Sequence, residues 1–82
     1  YIEGDGSYSI IVLTPDDKRV VSRTLKDIST DLPEEFQRVH KKYIINRNYL
    51  TSLNRVGHEC LLTKEEIKYI IPVSVRMMKN FR

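Results

Sequence analysis

Phe36-Gln-Arg-Val-His-Lys-Lys-Tyr-Ile-Ile-Asn46 sets the basic side chains of Arg38, His40, Lys41 and Lys42 among the apolar anchors Phe36, Val39, Tyr43 and Ile45. Acidic residues adjoin it only on its N-terminal side, at Glu34 and Glu35. The stretch reads as a turn entering an extended segment, with a rigid backbone that displays charge at fixed positions. Such a surface suits contact with phosphates or base edges. Neighbouring side chains on an extended backbone face opposite ways, so one of Lys41 and Lys42 is expected along a given surface normal. His40, between Val39 and Lys41, reads as a hydrogen-bonded structural residue.

The rest of the chain agrees in charge. Residues 1–39 carry five Lys/Arg and eight Asp/Glu, whereas residues 40–82 carry nine and three, which the net charge of +3 conceals. One cationic half concentrates attraction for a polyanion while the other keeps the protein soluble. Eighty-two residues make one small domain, able to bury roughly 60–65% of its surface around a thin core. The single cysteine, Cys60, excludes an internal disulfide, so the fold rests on packing and a reducing, cytoplasmic setting is expected. The apolar runs Ile10–Leu13 and Ile70-Ile71 are too short for a membrane span, and no signal peptide is visible. A start at Tyr1-Ile2-Glu3 suggests a domain taken from a longer protein.

Strand signals dominate. Tyr8–Leu13 is β-branched and aromatic, with Gly4-Asp5-Gly6 before it as a turn or bulge. Thr14-Pro15-Asp16-Asp17-Lys18 is turn chemistry, and Arg19–Ser22 returns as the second arm of a hairpin. Thr24 with Asp27 approximates a capping box, and Leu25, Ile28 and Leu32 fall on one helical face until Pro33 stops the helix. Asn46-Arg47-Asn48 is expected as a tight turn through left-handed asparagine. Tyr49–Asn54 and Glu59–Thr63 form another hairpin, and Lys64-Glu65-Glu66 turns into a last strand, Ile67–Ile71. Ser74 then caps a helix over Val75–Phe81, with Val75, Met78 and Phe81 on one face and Arg76, Lys79 and Asn80 on another; Arg82 adds charge at its end. The reading is a mainly β domain with one short internal helix and one short cationic C-terminal helix.

Catalysis finds little support. Ser22, Ser74 and Cys60 are conceivable nucleophiles, yet no spacing ties one to a His and an acid. Cys60 sits in the apolar run Cys60-Leu61-Leu62 and reads as a buried structural thiol. His40, His58 and Cys60 lack the paired spacing of a zinc site, and Gly4-Asp5-Gly6 lacks the further glycine, lysine and helix of a phosphate loop. No metal and no cofactor is expected. Arg76 is better placed: in the first turn of a helix capped by Ser74, a guanidinium can fork onto guanine N7 and O6. Lys79, one turn on, suits the phosphate backbone.

Five ordered blocks sharpen this. Tyr1–Tyr8, Ser22–Ile28, Leu32–Phe36, Arg38–Asn46 and Ile71–Arg76 occur in the order and spacing of a LytTR-type DNA-binding domain, and the resemblance covers essentially the whole chain. That family usually forms the C-terminal output domain of bacterial two-component response regulators, behind a receiver domain. The resemblance implies an elongated arrangement of small, mostly antiparallel sheets that inserts loops into successive major grooves of promoter direct repeats and bends the DNA. It implies a monomer in isolation that becomes tandem or dimeric on double-stranded DNA. Carried over, Ser7 or Tyr8, Lys41 and Arg76 contact bases, while Lys42, Ser74 and Lys79 hold phosphates. Two departures bear on base preference rather than binding mode: Lys42 is followed directly by Tyr43, and Val75-Arg76 stands where the family often has two arginines. The competing reading is a basic protein-interaction module that docks an acidic partner and does not discriminate between DNA sequences.

Overall fold

The computed structural model describes residues 1–81 of the chain. In chain order they form β1 (Ile2–Asp5), β2 (Tyr8–Thr14), β3 (Asp17–Val21), α1 (Leu25–Ser29), β4 (Phe36–His40) and β5 (Tyr43–Asn46). After a 3-10 turn (Arg47–Tyr49) come β6 (Leu50–Asn54), β7 (Glu59–Lys64), β8 (Ile67–Pro72) and α2 (Val75–Met78). One sheet has the order β3-β2-β1-β5-β4 and the other β6-β7-β8. Each strand pair is antiparallel. The mainly β architecture with one internal and one terminal helix is the expected one, in a compact body of 33 × 29 × 21 Å. No helix among the described residues is long and apolar enough to cross a membrane.

The centre of the larger sheet departs from the sequence reading. Gly4 and Asp5 belong to β1, which pairs with both β2 and β5, so the turn is confined to Gly6 and Ser7. Gly6 supplies the positive φ of +62° that a two-residue hairpin link favours. Gly4 serves packing instead. A Cβ there would lie 3.0 Å from Cγ and Cδ1 of Leu25, so its absence lets α1 lie against β1.

Two clusters make the core, and β5 feeds both. Ile44 joins Ile2, Leu25 and Ile28 beneath α1. Ile45, the next residue, joins Val39, Cys60, Leu62, Ile71, Val73, Met78 and Phe81 between the two sheets. Successive strand residues point to opposite faces, so one isoleucine pair stitches three layers together.

Both helices are shorter than their apolar spacing predicts. α1 starts as expected, with Thr24 Oγ1 accepting from the Asp27 N–H at 3.2 Å. It ends at Ser29, before Leu32 and Pro33, because the Ser29 and Thr30 hydroxyls donate to the carbonyls of Lys26 and Asp27 at 2.7 and 2.8 Å. Such local bonds compete with helix continuation. α2 starts at its Ser74 cap, whose Oγ accepts from the Met77 N–H at 3.1 Å, and ends at Met78. Met78 and Phe81 are buried, but Val75 is 65% exposed, and Val73 before the cap fills the core instead. The contribution expected of Arg82 lies outside the described residues.

Two turns differ in chemistry. Asn46 keeps φ at −93° and caps the 3-10 turn by accepting the Asn48 N–H on Oδ1 at 3.0 Å, so no left-handed asparagine is needed. Glu65 and Glu66 do take positive φ, 51° and 71°, in the two-residue link between β7 and β8.

Candidate nucleic-acid interface

Phe36–Asn46 is not one extended segment but a hairpin, β4 and β5 joined by Lys41-Lys42. His40 pairs with Tyr43, and both lysine side chains are exposed at the turn. Neither lysine takes positive φ. The turn is held by its neighbours instead. The Lys42 N–H donates to His40 Nδ1 at 3.1 Å, while Arg38 donates through Nε to the His40 carbonyl at 2.9 Å and through Nη2 to the Lys41 carbonyl at 2.6 Å. A register shift between Arg38 and His40 marks the bulge that brings these groups together.

Antiparallel pairing of β1 with β5 brings this tip beside the Gly6-Ser7 tip. Glu3 pairs with Tyr43, and the Gly4 N–H donates to the Lys42 carbonyl at 2.7 Å. Ser7 is exposed in the β1–β2 turn, and Tyr8, first in β2, is 52% exposed. A cleft of about 200 Å³ opens between the tips, with Gly4 and Gly6 on one side and the cations Lys26, Arg38, Lys41 and Lys42 around it. Its lining includes no carboxylate. The sequence reading counts Arg38 in the basic stretch but gives it no contact, and does not single out Lys26. Lys26 lies in α1, and its nearness to the tips depends on α1 packing against β1 at Gly4.

α2 is tied to the same hairpin. The Ser74 N–H donates to the Val39 carbonyl at 2.8 Å, which sets the start of α2 beside the end of β4. Arg76 is exposed in this helix, and Lys79 is exposed at its C-cap. Ser74 is half-buried with its oxygen engaged as the cap. Ion pairs among the described residues join Arg19 to Asp17 and Arg23 to Asp31, so Lys41, Lys42, Arg76 and Lys79 have no carboxylate partner there. Backbone bonds thus link β1, the β4–β5 hairpin and α2, the elements that carry or adjoin the sequence-predicted contacts.

His40 is tuned by the same crowd of cations. Burial against Tyr43, its ring 5.6 Å away, pulls the imidazole below its usual value, and Lys41, Lys42 and Arg38 push the same way. A histidine of lowered pKa binds fewer protons folded than unfolded, so acid favours the unfolded chain. This contribution is complete above about pH 6.5, the ordinary histidine value, and is lost as pH falls below it. The thermal midpoint is therefore expected to drop on acidification from pH 7 to 5, and His40→Gln to make that drop shallower. Superimposable pH profiles of the two proteins would exclude the effect.

The other reactive groups are placed structurally. Cys60 is buried, and burial, with a smaller push from Glu59, raises its thiol to about 11, far from the thiolate a nucleophile needs. Ser22 is exposed, and Ser74 caps a helix. No group of three His, Cys, Asp or Glu side chains gathers as a metal site among the described residues.

Comparison with curated proteins and with solved structures found no match. A family model described as the LytTr DNA-binding domain matches residues 1–82, the whole chain. The chain belongs to that family, and is thus a DNA-binding domain of the kind that transcription regulators carry as their output.

Proposed function

We propose that this domain binds double-stranded DNA sequence-specifically, reading promoter direct repeats through loops placed in successive major grooves. Lys41, Arg76 and the Ser7/Tyr8 tip read bases, and Lys42, Ser74 and Lys79 hold phosphates. The whole protein on this reading is a cytoplasmic response regulator of a bacterial two-component system. It carries an upstream receiver domain and no catalytic role of its own in this part. The domain alone is a monomer that pairs in tandem or as a dimer on DNA.

One observation carries the reading. Backbone hydrogen bonds join β1, next to the Gly6-Ser7 tip, to the Lys41-Lys42 tip and the start of α2 to β4, Gly4 to Lys42 and Ser74 to Val39. Charge supports it as well, since the cations at these places have no carboxylate partners among the described residues. Base contacts specify and phosphate contacts position, so the two sets of residues separate in an experiment.

That experiment titrates the domain against random and repeat-bearing duplexes at two salt concentrations. Repeat-bearing DNA is expected to bind more tightly at both. Lys79→Ala is expected to weaken both duplexes by the same factor and to reduce the salt slope by about one. Equal affinity for the two duplexes would favour the basic module that docks an acidic partner. A change of base preference in Lys79→Ala would remove that residue from the phosphate set.

A further inference from the structure

The end of the molecule away from the two tips holds a feature that DNA binding does not use. Ile2 and Leu13 lie at the opposite ends of β1 and β2 from the Gly6-Ser7 turn, and there a cavity of about 330 Å³ opens between the two sheets. Its walls are mainly apolar, with Leu13, Leu32, Phe36 and Leu62 among them and the Tyr1, Tyr49 and Tyr69 rings beside them. The volume falls within the range of small-molecule sites, about 300–1,000 Å³. It is also about ten times a water's share of liquid, roughly 30 Å³, and apolar walls give water few partners.

Lys64 indicates its chemistry. It carries the one charged side chain of the lining, and the Tyr1 amino group stands nearby, donating to the Val12 carbonyl at 3.2 Å. The Lys64 ammonium lies 3.4 Å from the Leu13 carbonyl and 5.6 Å from the centre of the Tyr49 ring. No carboxylate lies within 4.0 Å of it among the described residues. Lys64 is half-buried as a residue, and its ammonium, with one long exposed hydrogen bond and a ring face, has room for an anion. One cationic side chain beside apolar walls suits a carboxylate on an apolar body.

We infer that this inter-sheet cavity binds an apolar monocarboxylate, a medium-chain fatty acid being the simplest, with its carboxylate on Lys64 and its chain between the sheets.

The test is an NMR titration of the backbone amides with sodium hexanoate, octanoate and decanoate, and with octan-1-ol as the uncharged control. Saturable shifts are expected at Leu13, Tyr49 and Lys64 but not at Lys41 or Lys42. Affinity is expected to rise about fourfold per added methylene. Octan-1-ol is expected to bind at least about tenfold more weakly than octanoate, as loss of a charge-assisted bond implies. Lys64→Met keeps the stem and removes the charge, and should bring octanoate down to the level of the alcohol. Shifts confined to the basic tips, shifts that never saturate, or equal binding of octanoate and octan-1-ol would each overturn the assignment. The alcohol comparison needs no variant, so it decides even if Lys64→Met disturbs the fold.

Discussion

Ile45→Ala is expected to lower the unfolding free energy by about 2–5 kcal/mol, the range for truncating a fully buried isoleucine. Ile45 is 0% exposed and lies in the cluster that joins the two sheets. A domain of this length has roughly 4–12 kcal/mol to lose, so the change removes a large share of it. Urea unfolding should show a lower midpoint with an unchanged slope, because the surface exposed on unfolding stays the same. Ile44→Ala deletes the same atoms one residue earlier and should cost a similar amount by a different route. Ile44 supports α1 through Leu25 and Ile28, so hydrogen exchange should accelerate in α1 for that variant but in β7 and β8 for Ile45→Ala. A loss below about 1 kcal/mol for Ile45→Ala would mean that the two sheets close over the gap, against the usual cavity penalty.

Arg76→Ala is expected to erase about 1–3 kcal/mol of discrimination at a single base step, or roughly five- to 150-fold in relative affinity. The side chain is exposed near the start of α2 and has no hydrogen-bond or ion-pair partner among the described residues. No bond within the fold is lost with it, and the unfolding midpoint should hold. Arg76→Lys sharpens the test. It retains the charge and loses the planar fork, so general affinity should persist while preference at that step falls. Duplexes varied one base pair at a time measure both quantities. Unchanged preference in Arg76→Ala would remove Arg76 from the base-reading set.

Much of this fold could be read in the sequence where local chemistry decides it. β2 and β7 follow from β-branched and apolar residues. The starts of α1 and α2 follow from Thr24 and Ser74, whose hydroxyls make the expected capping bonds. What escaped depends on partners distant along the chain. β1 contains Glu3, Gly4 and Asp5, poor strand formers by propensity, and is a strand because β2 and β5 pair with it on both sides. The hairpin at Lys41-Lys42 lacks glycine, asparagine and proline, the usual turn residues. Its hold comes from the Arg38 guanidinium and the His40 ring, which periodicity does not reveal. The candidate contacts at Ser7, Lys41 and Arg76 could be named one by one from the resemblance. That β1, the β4–β5 hairpin and α2 are tied together became visible only with the Gly4–Lys42 and Ser74–Val39 bonds. Lys26 belongs with what only topology shows.

The bonds that hold the Lys41-Lys42 turn involve backbone atoms of those two residues and none of their side chains. The turn is therefore a cassette, since its two outward groups can be exchanged while the clamp beneath them stays. A library randomised at positions 41 and 42 should consist mostly of folded members. Screened against duplexes altered at one base step, it measures whether the base reading proposed for this turn can be redirected without redesigning the core.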